Sequence, residues 1–183
     1  MQIRPLKLAG TYELLLEPKR DERGYFMRAY DEAIFRTYGL TTSWVQENQA
    51  VSARKGVVRG LHFQKPPSAE TKLVRVVLGG VLDVFVDLRR NSKTYGQWDM
   101  IELSAHIPQA IYIPKGFAHG YYTLTQESIV LYKVDSWYAP ESEGGIRWDD
   151  TDLNIPWPAE NPVVSPKDAN WPRFRDFVSP FVE

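Results

Sequence analysis

Short runs of apolar residues alternate along the chain with Gly, Pro and polar clusters. The clearest pattern lies in residues 73–88, where two apolar runs flank Gly79 and Gly80. In the second run, Asp83 and Asp87 alternate with apolar residues, and a period of two is typical of a β-strand. A Gly-Gly pair between two such runs predicts a tight turn. We therefore predict a β-hairpin with one apolar face and one face that carries two carboxylates.

Five further segments have the length, the composition and the flanking turn residues of strands. They are residues 57–63, 98–103, 110–113, 119–124 and 128–134. Many short, closely spaced strands favour a β-sandwich or a β-barrel. One helix is predicted at residues 31–38, because Asp31 can cap its N-terminus and Gly39 can adopt the left-handed conformation beyond its C-terminus.

The C-terminal part of the chain differs in composition from the strand-rich part. After Tyr138 it is rich in Pro, Trp, Asp and Asn, which predicts turns and short helical pieces that wrap the barrel. We expect residues from about Val178 onward to be poorly ordered, as chain ends commonly are. With 183 residues and 43% hydrophobic content, the chain is long enough for one well-filled core. We therefore predict a single domain that spans residues 1–183.

Composition argues against several classes of protein. The 22 Lys and Arg residues balance 23 Asp and Glu residues, so no global charge recruits nucleic acid or an anionic membrane. The absence of Cys excludes disulfides and thiolate metal sites. The chain contains no run of about 18 apolar residues, the length that a membrane-spanning helix needs. The first ten residues lack the apolar stretch of a signal peptide. We expect a cytoplasmic protein that binds neither nucleic acid nor membrane.

Histidine is the side chain best suited to proton transfer near neutral pH, although a lone His is more often structural. His62 lies in a predicted strand with Arg59 and Gly60, and a core strand has little reason to hold either. Strict alternation would place Arg59 and His62 on opposite faces, so one pocket for both requires a bulge or kink at Gly60. His119 could be functional or a hydrogen-bonded wall residue, and His106 is expected to be solvated.

The segments around His62 and His119 resemble the two motifs of the cupin barrel, and Pro114 to His119 form the second, Pro-x-Gly-x-x-His. Metal-binding cupins carry another His two residues after the first, because three or four ligands must converge on the ion. This chain has Gln64 at that place. The resemblance implies an all-β cupin jelly-roll barrel with a few short helices, without a metal site, that uses organic acid–base chemistry.

Six sequence blocks extend in order across nearly the whole chain. They are DERG at 21–24, VQEN at 45–48, VRGLHFQ at 58–64, KLVRV at 72–76, IPKGFAHG at 113–120 and PESEGG at 140–145. Together they resemble the dTDP-4-dehydrorhamnose 3,5-epimerase family, and six ordered blocks are far more specific than one short motif. The resemblance implies an isomerase that acts on a nucleotide-linked 4-keto-6-deoxy sugar without a metal or an organic cofactor.

The resemblance also implies which side chains carry the reaction. Epimerisation beside a ketone needs a base that removes a carbon-bound proton, a group that stabilises the enolate oxygen, and an acid that returns a proton on the opposite face. By similarity, His62 is the base, Tyr132 is the acid and Lys72 stabilises the enolate. Asp168 is the expected carboxylate partner of His62, and Asp83 is a competitor for that place.

Other matched positions imply contacts with the diphosphate, the sugar and the nucleobase. Arg23 and Arg59 offer planar guanidinium groups that suit phosphate oxygens. The remaining positions are Phe26, Arg28, Gln46, Glu47, Asn48, His119, Glu143 and Lys167. Family members are homodimers that share the N-terminal strand region, so the resemblance implies that Arg23 and Arg28 serve the site of the partner.

The chain departs from the family pattern at Arg28, where Glu is usual. A carboxylate accepts hydrogen bonds and a guanidinium only donates them, so the usual recognition of thymine is not expected to apply unchanged. Glu47 in place of Asp and Thr71 in place of Gly are milder changes. Tyr121 and Tyr122 are expected to affect the shape of the pocket.

We therefore expect inversion of C3 and C5 of a dTDP-4-keto-6-deoxyhexose, from dTDP-4-dehydro-6-deoxyglucose to dTDP-4-dehydrorhamnose, in deoxysugar biosynthesis. Three alternatives stay open. The chain could invert C3 or C5 alone in a related nucleotide sugar, it could be a cupin 3,4-ketoisomerase, or it could bind a sugar nucleotide without catalysis. Gln64 argues against the ketoisomerase, because that chemistry usually accompanies a His pair on the first cupin motif.

Overall fold

The computed structural model describes residues 1–182, which form mainly antiparallel strands. The strands are β1 (Gln2–Pro5), β2 (Tyr12–Leu15), β3 (Lys19–Asp21), β4 (Gly24–Phe26), β5 (Gln46–Ser52), β6 (Val58–Gln64), β7 (Lys72–Leu78), β8 (Gly80–Asp87), β9 (Trp98–Ser104), β10 (Gln109–Ile113), β11 (Phe117–Thr123), β12 (Ser128–Val134) and β13 (Glu143–Gly145). The helices of these residues are α1 (Glu32–Thr37) and α2 (Pro166–Ala169), with 3-10 turns at Pro140–Ser142 and Phe174–Asp176. Neither α-helix is long enough to cross a membrane.

Two large antiparallel sheets pack face to face as a jelly-roll barrel, which confirms the predicted fold class. The six-stranded sheet has the order β1-β2-β10-β7-β12-β5, and the five-stranded sheet has the order β13-β6-β11-β8-β9. Apolar side chains from both sheets fill the interior, among them Val74 and Ile111 from the first sheet and Phe85 and Phe117 from the second. Full burial of a side chain of this size contributes roughly 1.5–3 kcal/mol.

Strand β8 is buried on both faces. Val81 and Phe85 enter the barrel interior, whereas Val84 and Val86 pack on the outer side beneath the C-terminal segment. This partition confirms the predicted alternation along the strand. Asp83, which lies on the interior side, is fully buried.

The predicted hairpin at Gly79 and Gly80 is wrong. Strand β7 pairs with β10 and β12 in one sheet, whereas β8 pairs with β9 and β11 in the other. Gly79 is therefore a corner between the sheets, where its φ is +69° and an added Cβ would clash with the carbonyl oxygen of Glu127. Two apolar runs on either side of a Gly pair reveal a change of direction, but they do not reveal whether the strands pair with each other.

Helix α1 lies where the sequence predicts a helix. The Asp31 side chain accepts hydrogen bonds from backbone N–H groups of the first turn, and Gly39 has a φ of +66° beyond the last turn. Phe35 is buried against the outer side of the six-stranded sheet, where its ring lies 6.3 Å from that of Tyr112.

Strands β1 to β5 and β13 are absent from the sequence prediction. Of these, β5 has the polar sequence QENQAVS and lies at a sheet edge.

The C-terminal segment packs on the outer face of the five-stranded sheet through turns and short helical pieces, as predicted. Phe181 is buried, and its ring centroid lies 5.6 Å from that of Phe63. The backbone N–H of Arg90 donates to the carbonyl oxygen of Phe181 at 3.0 Å. The expectation of poor order from Val178 onward is therefore wrong for residues 178–182. Nearness to the chain end does not predict disorder where an aromatic side chain such as Phe181 is buried in the core.

The pairing of β6 with β11 contains the irregularity predicted at Gly60. His62 lies opposite His119, but Arg59 lies opposite Tyr121, so β6 has one extra residue between the two pairs. This is a β-bulge, and it reverses the side to which the preceding residues of the strand point. Arg59 and His62 consequently face the same cavity.

Replacement of Gly60 by Ala is expected to lower the free energy of unfolding by about 4 kcal/mol, because strain and overpacking combine. Gly60 has a φ of +143°, and its Cβ would lie 2.6 Å from the Cα of Gly120. Gly39→Ala is the control, since Gly39 has a φ of +66° but no heavy atom within 4 Å of the added Cβ. The control should lose only about 1–2 kcal/mol in chemical denaturation, and equal losses would contradict the steric explanation.

Candidate active site

A cavity of about 440 Å³ lies between the two sheets, within the range of small-molecule sites. The predicted site residues that line it are Arg59, His62 and His119 from the five-stranded sheet, Lys72 and Tyr132 from the six-stranded sheet, and Lys167 and Asp168 from α2. Residues 163–165, which were not predicted as site residues, complete this wall. The fold therefore brings together seven polar residues from sequence positions between 59 and 168.

His62 and Asp168 form a hydrogen-bonded pair at one side of the cavity. Nε2 of His62 lies 2.6 Å from Oδ1 of Asp168, and Oδ2 accepts the backbone N–H of Gly60 at 3.2 Å. The Asp168 side chain is 6% exposed and that of His62 is 33% exposed. Ser165 caps α2 by accepting the backbone N–H of Asp168 at 3.0 Å, which orients the first turn. The carboxylate is buried while the imidazole remains accessible from the cavity.

Asp168 is held in its ionised form. Burial by itself would raise the pKa of Asp168, but the hydrogen bond and charge of His62, together with the N–H of Gly60, bring it below its usual range. An ionised carboxylate beside an imidazole orients the ring and stabilises the imidazolium that forms when the ring accepts a proton. The pair therefore has the arrangement of a general base.

Asp83 pairs with His119, not with His62. Nε2 of His119 lies 2.9 Å from Oδ2 of Asp83, and both side chains are buried. Burial raises the pKa of Asp83, and the nearby His119 offsets only part of that rise. Of the two candidate partners that the sequence suggests for His62, the structure brings only Asp168 into contact with it.

Lys72 is a buried cation with a carboxylate beside it. Its Nζ lies 3.2 Å from Oε1 of Glu70 and donates to the carbonyl oxygen of His62 at 3.5 Å. Glu70 is not among the site residues predicted from the sequence. Its spacing of two residues from Lys72 is nevertheless a signal, because alternate residues of an extended segment point to one side.

Tyr132 lies on the sheet that faces the one carrying His62, and both residues line the cavity. Burial raises the pKa of Tyr132, the Glu70 carboxylate raises it further, and the charge of Arg59 counteracts part of the rise. The phenol therefore stays protonated near neutral pH. Such a group can donate a proton into the cavity from the side opposite the imidazole.

Glu143 and Gln46 lie in a hydrogen-bonded cluster that adjoins the cavity through Lys167. Nζ of Lys167 lies 2.5 Å from Oε1 of Glu143, which raises the pKa of Lys167, and 5.8 Å from the centroid of the Trp171 ring. The hydroxyl of Tyr138 donates to Oε2 of Glu143 at 3.3 Å, and Oε1 of Gln46 accepts the backbone N–H of Tyr138 at 2.6 Å. The cluster joins β5 and β13 to α2.

Alternation along β5 separates three neighbouring residues that the sequence groups together. Asn48 lies opposite Tyr132 in the register with β12, so it shares the inner side of the sheet with Gln46. Glu47 points the other way and pairs with Lys133, whose Nζ lies 3.3 Å from its carboxylate. The structure therefore does not bring Glu47 to the cavity. The period of two would have shown this once residues 46–52 were recognised as a strand.

The predicted residues Arg23, Phe26 and Arg28 also lie outside the cavity of the single chain. Strands β3 and β4 form a separate two-stranded hairpin whose residues are all exposed, and Phe26 is 68% exposed. Arg23 pairs with Asp21 at 2.5 Å, and Arg28 lies 3.4 Å from the carboxylate of Asp31. These residues are available to a partner surface.

Gln64 lies on the same side of β6 as His62 but does not line the cavity, and its side chain joins two loops. Its amide nitrogen lies 3.0 Å from the carbonyl oxygen of Ser68, 3.2 Å from Oε2 of Glu70 and 3.1 Å from the carbonyl oxygen of Trp137. Its amide oxygen accepts the backbone N–H of Ala139 at 2.7 Å. Within residues 1–182, no three His, Asp or Glu side chains are grouped so as to hold a metal ion.

Similarity to known proteins extends over most of the chain. A family model described as dTDP-4-dehydrorhamnose 3,5-epimerase matches residues 5–176. A dTDP-4-dehydrorhamnose 3,5-epimerase of Methanothermobacter thermautotrophicus is 46% identical over 180 residues, which cover 96% of each chain. A dTDP-4-dehydrorhamnose 3-epimerase of Streptomyces niveus is 38% identical over 171 residues, which cover 93% of this chain and 82% of that one.

Among solved structures, a similar one is dTDP-6-deoxy-D-glucose-3,5-epimerase from Legionella pneumophila Philadelphia 1, in complex with dTDP-4-keto-L-rhamnose. It superposes with a TM-score of 0.94 at 36% identity, and the match covers 100% of this chain and 98% of that chain.

Asp168→Asn is expected to lower the free energy of unfolding by roughly 2 kcal/mol at neutral pH, because it removes an ionised acceptor of buried hydrogen bonds. Since the folded-state pKa of Asp168 is lowered, its contribution is complete above the unfolded value of about 3.9 and is lost as the pH falls through the folded-state value. Denaturation curves of the wild type and the variant should therefore converge in acid.

Asp149→Asn is the control for that measurement, because it removes a carboxylate paired with Arg147 at 2.7 Å on the surface. It should change the free energy of unfolding by less than about 1 kcal/mol. A difference between wild type and Asp168→Asn that stays constant from neutral to strongly acid pH would contradict the assigned pKa shift.

Proposed function

Since this chain belongs to the dTDP-4-dehydrorhamnose 3,5-epimerase family of isomerases, we propose that it inverts C3 and C5 of a dTDP-4-keto-6-deoxyhexose. The reaction would convert dTDP-4-dehydro-6-deoxyglucose to dTDP-4-dehydrorhamnose in deoxysugar biosynthesis. The observation that carries the proposal is the position of His62 and Tyr132 on facing sheets around one cavity. Inversion of a carbon centre requires that a proton leave from one side and return from the other.

The proposed reaction is a sequence of proton transfers at a carbon next to the C4 ketone. The imidazole of His62 accepts the carbon-bound proton, and the electron pair of the C–H bond moves to the ketone oxygen as an enolate. The Lys72 ammonium stabilises that oxygen. The phenol of Tyr132 then gives its proton to the opposite side of the carbon as the carbonyl re-forms. Exchange with water restores the imidazole and the phenol.

The other cavity residues are assigned to substrate binding. The guanidinium of Arg59 is held by the carbonyl oxygen of Val51 at 3.0 Å and suits a diphosphate. Lys167 offers a second positive charge at the cavity wall. His119, fixed by its buried partner Asp83, is assigned a contact with the sugar. Gln46, Asn48 and Glu143, which lie beside the cavity without lining it, complete the proposed sugar contacts.

We infer that residues 1–183 act as one epimerase domain, because both sheets and the C-terminal segment contribute to the same cavity. A cofactor has no step in this reaction, since the proton, the electron pair and the carbonyl all remain within substrate and side chains. The cytoplasmic location stays a prediction from the sequence.

We infer a homodimer in which the hairpin of β3 and β4 serves the partner. An isolated two-stranded hairpin is only marginally stable in water, yet this one exposes two aromatic rings, Tyr25 at 53% and Phe26 at 68%. Strand β5, which carries Asn48, has a free edge at which another strand can add. Docking of the hairpin beside β5 of a second copy would bring Arg23 and Arg28 to the partner's cavity.

The contact with the nucleobase is expected to differ from that of typical relatives. The Arg28 guanidinium, which is 67% exposed, can donate to the carbonyl oxygens of thymine but cannot accept from its N–H. We therefore keep dTDP as the proposed nucleotide, with a changed contact at Arg28. Competition of dTDP, CDP and GDP for the site would rank the bases.

The specific alternative is inversion at C3 alone, because the Streptomyces niveus relative is named a 3-epimerase. The two outcomes use the same base and acid, so the side chains of the cavity do not separate them. They differ in whether the C5 proton exchanges with solvent.

Incubation of dTDP-4-keto-6-deoxyglucose with the protein in deuterium oxide should place deuterium at both C3 and C5, detected by NMR. His62→Asn is expected to slow incorporation at both positions by about 10³-fold, the range for loss of a general base, without weakening the binding of dTDP. His106→Asn, in an exposed loop, is the control and should keep the full rate. Label at C3 alone would favour the single-centre reaction, and full incorporation by His62→Asn would refute the assigned base.

Replacement of both exposed hairpin rings, Tyr25→Ser with Phe26→Ser, should convert the dimer to a monomer in sedimentation experiments and raise KM about tenfold or more. The variant should keep the β-sheet circular dichroism of the wild type, because Tyr25 and Phe26 are 53% and 68% exposed in their own chain and Tyr25 contacts mainly Arg20 there. Val178→Ser, at an 83% exposed position of the C-terminal segment, is the control. An unchanged dimer with an unchanged KM would refute the hairpin exchange.

A further inference from the structure

Glu70 contacts Lys72 directly, yet it does not line the cavity itself. We propose that Glu70 is a positioning residue for the epimerisation: it holds the Lys72 ammonium so that one N–H points into the cavity. This inference rests on the proposed function, because the orientation matters only if Lys72 stabilises an enolate oxygen.

The two oxygens of the Glu70 carboxylate have different partners. Oε1 lies 3.2 Å from Nζ of Lys72, and Oε2 lies 3.2 Å from the amide nitrogen of Gln64. The Lys72 side chain is 8% exposed and that of Glu70 is 14% exposed, so solvent screens the pair weakly. A buried ammonium without a counter-charge is costly, and Glu70 supplies that charge.

The geometry also accounts for the donors of Lys72. An ammonium carries three N–H donors. One is directed to Glu70 and a second toward the carbonyl oxygen of His62 at 3.5 Å. Because Lys72 lines the cavity, the third donor is the one left for a ligand. The Glu70 carboxylate and the carbonyl oxygen of His62 therefore fix the direction of this third donor together.

Glu70 is itself fixed by Gln64. The Gln64 amide bonds to backbone groups of Ser68, Trp137 and Ala139 as well as to Glu70. These contacts leave the amide no alternative orientation, so the Glu70 carboxylate has a rigid support. Gln64 stands where metal-binding cupins carry a second His. It thus supports the Lys72 ammonium through the Glu70 carboxylate.

The Glu70 charge also acts on the proposed acid. Together with burial it raises the pKa of Tyr132, which favours the protonated phenol that the reaction needs. The other charged groups that act on Tyr132 or Lys72 are Arg59, Glu143 and Asp83. Among the carboxylates of residues 1–182, Glu70 is the one that lies within ion-pair distance of Nζ of Lys72.

Glu70→Gln keeps the shape of the side chain and removes its charge. At neutral pH we expect kcat to fall about 10- to 100-fold, as for a misplaced catalytic group, while KM and the Kd of dTDP change less than about twofold, since no contact with the nucleotide is lost. Loss of a negative charge favours loss of a proton from neighbouring groups. The alkaline limb of the kcat profile should therefore move to lower pH, so that the deficit grows as pH rises.

Two further variants separate a positioning role from a structural one. Glu70→Asp keeps the charge, so its alkaline limb should stay at the wild-type position even where kcat falls. Glu32→Gln removes an exposed ion pair with Arg36 on α1, outside the cavity, and should leave kcat, KM and the pH profile unchanged.

Several outcomes would overturn the proposal. One is a Glu70→Gln variant with wild-type kcat and pH profile. Another is a loss of kcat by the same factor at every pH, with the alkaline limb unmoved, which indicates a purely structural role. The wild type gives a separate check. If it incorporates no deuterium into the substrate, the proposed function fails and the role of Glu70 fails with it, whereas an active wild type beside an unaffected Glu70→Gln refutes the role of Glu70 alone.

Discussion

The close approach of β6 and β11 at Gly60 and Gly120 is the constraint on which the cavity depends. Only residues without a Cβ allow the two backbones to come this near, and the extra residue in β6 lies at that contact. The bulge turns Arg59 to the side on which His62 already lies. The same backbone N–H of Gly60 donates to Asp168, so the carboxylate that orients the imidazole is attached to the bulge as well. One irregularity thereby positions the guanidinium, the imidazole and the carboxylate together.

A barrel of two facing sheets suits a reaction that needs proton transfer from two sides. The bulged strand supplies His62 from one wall, and β12 and β7 supply Tyr132 and Lys72 from the other. Apolar side chains of both sheets pack together beside the cavity and hold the two walls in place. The distance between the opposing groups is consequently a property of the barrel and not of a mobile loop, which is the arrangement expected of a preorganised site.

Much of the fold could be predicted from apolar periodicity, because most inner strands bury regular apolar faces. The same signal fails for β5, whose polar side chains suit a sheet edge beside a cavity, and it could not show that Gly79 joins two sheets. The bulge at Gly60 was predictable from the coexistence of Arg59 and His62 in one strand. The pairing of His62 with Asp168 followed only from family resemblance, since no local pattern connects residues 106 positions apart. Glu70 was missed because a lone carboxylate before a strand is usually a solvated charge.

The segment that contains Asp168 joins the barrel late in the sequence. Val163 forms a parallel bridge with Val57, supported by backbone hydrogen bonds of 2.9 Å to Val58 and 2.7 Å to Gly56. This short parallel pairing helps to place the Asp168 carboxylate next to the His62 imidazole, although strands β7 to β13 lie between the two residues in the sequence. The ribosome therefore synthesises all the strands of residues 1–182 before it reaches Asp168, the proposed carboxylate partner of His62. A chain that ends before Val163 would contain all of these strands and still lack both the parallel bridge and the carboxylate, so the His62 imidazole would have no acidic partner at Nε2.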